Sequence, residues 1–103
     1  MNYCIREARS FERKIDELEN QYSRIRELKA AISFALCIDP NRFSQIDGEP
    51  PQFRVLRTDD LTDLIKEIPL LDVVFEIIDV GQEKIVELID LKVIEPPPDN
   101  STP

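Results

Sequence analysis

Apolar residues in the first third of the chain recur at helical spacing. Phe11, Ile15, Leu18, Tyr22 and Ile25 stand four or three apart, and Leu28, Ile32, Ala35 and Leu36 continue the stripe after a shortened step from Ile25 to Leu28. This pattern predicts helix from Ser10 to about Leu36 with one strongly apolar face. Ser10 is a candidate N-cap, and Glu12 suits the positive helix end. Asn20-Gln21-Tyr22-Ser23 is the poorest helix former in this span, so two antiparallel helices compete with one continuous helix. Upstream, Asn2 to Arg6 reads either as a short strand or as frayed chain. Downstream, Asp39-Pro40-Asn41 ends the helix, because proline cannot continue it and restricts the residue before it.

Beyond Asn41 the period changes. Asn41 to Gln52, with Gly48 and Pro50-Pro51, reads as loop, and Phe53 to Arg57 alternates weakly as a strand. Thr58 to Ile68 returns to helical spacing through Leu61, Leu64, Ile65 and Ile68. Thr58 is its candidate cap, Asp59 and Asp60 lie in its first turn, and Pro69 stops it. From Ile68 to Glu95, two dense runs of Val, Ile, Leu and Phe are parted by Asp79-Val80-Gly81-Gln82, which predicts a β-hairpin. On its first arm Leu71, Val73, Phe75 and Ile77 share a face. On its second, strict alternation sets Ile85, Glu87, Ile89, Leu91 and Val93 against Val86, Leu88, Asp90, Lys92 and Ile94. Both faces are substantially apolar, so at least one arm should be central in its sheet. A helix over Glu83 to Leu91 competes, although the β-branched content favours strand. The expected fold class is α+β: an N-terminal long helix or helical hairpin packed on a small antiparallel β-sheet. Residues 1–95 form a single domain, and 96–103 a disordered proline-rich tail.

Charge sharpens this picture. The 103 residues can bury a core without metals or disulfides and carry a net charge of -8. Residues 1–36 hold seven Lys/Arg and six Asp/Glu (7 - 6 = +1), and the remainder six and fifteen (6 - 15 = -9). The acidic part is the expected sheet. Such a surface repels phosphate backbones and anionic membranes. No apolar run is long enough to span a bilayer, and the polar start MNYCIREARS is no signal peptide. A cytoplasmic protein with reduced Cys4 and Cys37 is therefore expected.

The absence of histidine excludes histidine triads, histidine-ligated metals and imidazole bases. Two glycines, Gly48 and Gly81, cannot build a glycine-rich phosphate loop. Asp59, Asp63 and Glu67 lie four apart and could hold a hard cation. Charge runs are mostly solvated surface, so no metal or cofactor is expected. Glu76 and Glu87 could meet across the hairpin, among scattered Asp72, Asp79 and Asp90. The plainer expectation is solvent-facing charges that guard a sheet against edge pairing. A cysteine nucleophile would need a base that histidine cannot supply. Arg6, Arg9, Arg13 and Lys14 form a basic cluster that Glu7 and Glu12 interrupt. Arg54 and Arg57, three apart, should point to opposite faces of their strand. Either could clamp a phosphate or carboxylate, with an ordinary ion pair to Asp59 or Asp60 as the alternative.

In element order the chain resembles the RelE/ParE toxin superfamily of bacterial toxin-antitoxin modules. Arg9-Ser10-Phe11-Glu12-Arg13-Lys14-Ile15-Asp16-Glu17-Leu18 is similar to that family's first helix, and Ile32 to Pro40 to the end of its second. Phe53-Arg54-Val55-Leu56-Arg57 is similar to its arginine-bearing strand, and Val74-Phe75-Glu76-Ile77-Ile78 to Ile89-Asp90-Leu91 to its closing hairpin. The resemblance implies ribosome-dependent mRNA cleavage or a related toxic activity, with Arg54, Arg57 and Lys92 as catalytic candidates. It also implies an antitoxin protein as partner, and the ribosome or mRNA as further partners. The chain departs from the family in its acidity and in Val93-Ile94-Glu95-Pro96, where ribonucleolytic members carry basic and aromatic residues. A toxin-like scaffold and translational repressor with weakened or absent endonuclease activity is the expectation. An acidic, non-enzymatic protein-interaction domain is the alternative, and the helical stripe leaves homo-oligomer formation open.

Overall fold

The computed structural model describes residues 2–61 and 68–95. Strand β1 spans Cys4–Glu7, helix α1 Arg9–Glu19 and helix α2 Ile25–Ile38. Strands β2 to β5 follow as Ser44–Gln45, Phe53–Arg57, Leu70–Val80 and Glu83–Glu95. The helical stretch is therefore two helices. Its break falls on the weak helix formers: the N–H groups of Gln21 and Tyr22 both turn back to the Leu18 carbonyl, at 3.0 and 2.7 Å. Ser10 lies inside α1 rather than capping it, because Ala8 takes the cap position and donates its N–H to the Leu88 carbonyl. The second helix stops at Ile38, and buried Pro40 opens a short 3-10 turn over Pro40–Arg42. The expected loop from Asn41 to Gln52 also contains the two residues of β2.

The sheet order is β1-β5-β4-β3-β2. β2, β3, β4 and β5 pair antiparallel, whereas β1 pairs parallel to β5 from Cys4↔Ile85 to Glu7↔Leu88. The expectation of an antiparallel sheet is corrected to a mixed one. β4 already occupies one side of β5, and the crossover through the helices leaves β1 aligned with β5 on the other. Residues 83–91 are strand, not helix. The hairpin loop is shorter than the four-residue spacer suggested: pairing continues to Val80↔Glu83, leaving Gly81 and Gln82 at the tip. Gly81 has φ +62°, a left-handed conformation that glycine adopts without steric cost.

One irregularity reorganises β5. Val74 lies opposite Asp90, but Phe75 lies opposite Leu88, so Ile89 is an extra residue in the ladder. A bulge of this kind reverses the alternation beyond it. Val86, Leu88 and Leu91 are consequently all buried, although strict alternation separates Leu91 from the other two. Lys92, which strict alternation groups with Val86 and Leu88, faces away from the core instead.

The core lies on one side of the sheet. Leu56, Leu71, Val73, Phe75, Val86, Leu88 and Leu91 pack with Phe11, Ile15 and Leu18 of α1 and with Ile25, Leu28, Ile32 and Leu36 of α2. Beyond Leu88 the free edge of β5 is shielded by α1. The Ser10 hydroxyl donates to the Ile89 carbonyl, and Lys14 Nζ lies 3.1 Å from the Leu91 carbonyl and 2.6 Å from Asp90 Oδ1.

Thr58 begins a 3-10 turn over Thr58–Asp60. Its side chain does not cap that turn; the buried Oγ1 accepts the Leu71 N–H at 3.0 Å. Residues 62–67 of the expected helix lie outside the described residues, as does the tail over 96–103. Thr58→Val keeps the shape but orphans the Leu71 N–H, and should cost about 1–3 kcal/mol. Urea unfolding measures this; an unchanged midpoint would show that the hydrogen bond adds nothing.

Candidate functional site

The expectation that Arg54 and Arg57 diverge is met, and the two arginines do different work. Arg54 lies opposite Phe75 on the core side of β3, at its half-buried end. Its Nη1 donates to the carbonyls of Phe43 and Asn41, at 2.7 and 3.1 Å. The guanidinium thus ties the segment between α2 and β2 to the sheet. Its Nε is buried without a hydrogen-bond partner.

Arg57 is on the outer face. It lies opposite Asp72, which in turn lies opposite Lys92, so the three form a row across β3, β4 and β5. Arg57 and Asp72 make a two-pronged pair, Nε to Oδ1 at 2.9 Å and Nη2 to Oδ2 at 3.0 Å. Lys92 has no ion pair among the described residues. Of the three catalytic candidates the fold brings Arg57 and Lys92 onto one face, and places Arg54 on the other. The bulge at Ile89 makes this grouping.

A hollow of about 330 Å³ opens beside the row, lined by Arg42, Phe43, Ser44, Val55, Arg57 and Asp72. Arg42 stacks over the Phe43 ring at 4.7 Å from its centre. Arg42 and Ser44 had no part in the sequence-based site because they fall in an expected loop. The neighbouring pair Arg42-Phe43, a cation beside an aromatic, was the signal that could have marked them.

Arg42 and Arg57 line the hollow with Asp72, and Lys92 lies opposite Asp72 in the ladder, a local cationic patch on an acidic protein. Such a patch can hold an anionic group by charge and hydrogen bonding. Among the described residues that line the hollow, the one carboxylate, Asp72, is engaged by Arg57, and the chain holds no histidine to act as a base. Glu76 and Glu87 do lie opposite each other, but Glu87 accepts from Arg6 Nε at 2.7 Å. Shifted titrations occur at exposed pairs outside the hollow. The Arg26 hydrogen bond holds Glu19 below the usual carboxylate range, and the hydrogen bond to Asp79 pushes Lys84 up.

Asp59 is exposed in its 3-10 turn, whereas Asp63 and Glu67 lie outside the described residues. Among the described residues no group of three or more Cys, Asp or Glu is placed to hold a metal ion. Cys4 and Cys37 are free thiols. No helix among the described residues is long and apolar enough to cross a membrane. Comparison with family models, curated proteins and solved structures finds no match to this chain.

Proposed function

We propose that this chain is a RelE/ParE-like toxin-module protein that acts in the cytoplasm by binding, with an antitoxin-like protein as partner and without mRNA endonuclease activity. The observation that carries the loss of cleavage is the occupation of both strand arginines. Arg54 is bonded to backbone carbonyls and Arg57 to Asp72, so a scissile phosphate finds Arg54 turned to the backbone and meets Arg57 only in competition with Asp72. The order of elements supports the module reading: a first strand, two helices, and a sheet that closes on that strand.

The test is primer extension on a reporter mRNA translated with the purified protein. No protein-dependent cleavage is expected, and the product of an adjacent small reading frame should co-purify with the chain. Ribosome-dependent cleavage that disappears in an Arg57→Ala/Lys92→Ala variant would refute the non-catalytic assignment.

A second reading, an acidic interaction domain outside any toxin module, is favoured by the outer sheet face. There Phe53, Val55, Val74, Ile78 and Ile85 are half-buried, and among the described residues no helix lies over them. Recovery of a partner encoded elsewhere, with none encoded nearby, separates it from the first.

A further inference from the structure

The last nine residues of α2, Ala30 to Ile38, include Ser33 as their one polar side chain. Over this stretch the helix is apolar on every side, a pattern characteristic of helices that are covered all round. The described residues cover only part of it. Ile32 and Leu36 are fully buried, while Phe34 is 69% exposed and Ile38 53% exposed. Ala30, Ala31 and Cys37 flank them on the same outward side. A hollow of about 280 Å³ runs along it, lined by Ala31, Phe34, Ala35, Ile38, Asp39, Arg42 and Leu61.

The outward residues are spaced symmetrically about Phe34. Ala31 and Cys37 stand three positions to either side, and Ala30 and Ile38 four, with small residues before Phe34 and larger ones after it. We propose that α2 is the contact of a homodimer, two copies pairing antiparallel about a two-fold axis through Phe34. This sets Ala30 opposite Ile38 and Ala31 opposite Cys37, small against large, and brings the two Phe34 rings together. A two-fold interface requires such self-complementarity, each contact occurring twice.

Charge selects a second copy as the occupant. Residues 1–36 carry +1 and the remainder -9, so two chains approach through their helices with little repulsion and keep their acidic sheets apart. A basic partner is drawn to the sheet instead. The antiparallel pairing also opposes the helix dipoles. A helix of 14 residues is about 21 Å long. One side of it offers less than the roughly 800 Å² per partner of a standard interface, so the dimer is weak and concentration-dependent.

Sedimentation velocity of the full chain from about 5 to 500 µM, a range suited to weak association, tests this. The wild type should shift from monomer toward dimer, and added salt should strengthen the shift by screening the net charge. Phe34→Glu should stay monomeric with an unchanged circular dichroism spectrum. A second measurement uses a Cys4→Ser/Cys37→Ser background. Phe34→Cys should form an intermolecular disulfide under mild oxidation at least tenfold faster than Glu83→Cys, which lies on the exposed hairpin tip. A wild type monomeric at every concentration, or equal cross-linking rates at the two sites, would overturn the proposal. Neither result depends on whether the toxin-module reading holds.

Discussion

Replacing Phe75 with alanine should remove about 3–5 kcal/mol of stability. A domain of this size holds only about 5–15 kcal/mol in total. The ring is fully buried at the middle of β4, a strand with neighbours on both sides. It meets the Phe43 ring edge-on, with centroids 6.2 Å apart and planes at 89°, the favourable arrangement for an aromatic pair. The effect should not stop at the core. Phe43 anchors the segment that carries Arg42 and Ser44, so the hollow beside Arg57 should loosen along with it. Urea unfolding gives the first quantity, and amide exchange at Ser44 and Gln45 the second. A loss below about 1 kcal/mol would mean that the cavity collapses without cost, contrary to the packing seen here.

Arg54→Ala should be the other large effect, and it should appear as lost stability rather than lost chemistry. Removing the guanidinium takes away a charged donor shared by two carbonyls, a change worth about 1.5–3 kcal/mol. Lysine should rescue only part of this, because a single ammonium does not reproduce the planar guanidinium donor. The expected signature is a lower unfolding midpoint for Arg54→Ala, an intermediate one for Arg54→Lys, and unchanged affinity for a protein partner in whatever fraction remains folded. A variant of normal stability that had lost a specific binding activity would instead make Arg54 a contact residue.

Much of the architecture was legible because it follows from local periodicity. The helical stripe, the stop at Pro40, the strand at Phe53 and the hairpin around Gly81 each follow from spacing and turn chemistry within a few residues. The features that escaped are set by distant pairings. Nothing within Asn2 to Arg6 says that this segment runs parallel to Ile85 through Leu88, since that pairing is fixed only once the helices have carried the chain across. Thr58 looks like a helix cap by its neighbours, and only the approach of Leu71 gives its hydroxyl another donor. The site was half legible for the same reason. The divergence of Arg54 and Arg57 is a property of a single strand and was correct. The grouping of Arg57 with Lys92 depends on an extra residue at Ile89, and alternation along β5 alone gives the opposite face.

The parallel pairing of β1 with β5 has a consequence for how the chain is made. Residues 4–7 find their partners at 85–88, on the last of the described strands. On the ribosome, β1 and the chain entering α1 have no sheet to join until nearly all of the described fold has emerged. The helices can form early from local contacts, but their apolar sides stay uncovered until the closing hairpin arrives. Truncation before Ile85 should thus leave more than a protein missing one strand. It leaves a nascent chain in which β1 has nowhere to dock, exposed to chaperones and proteases for as long as translation stalls there.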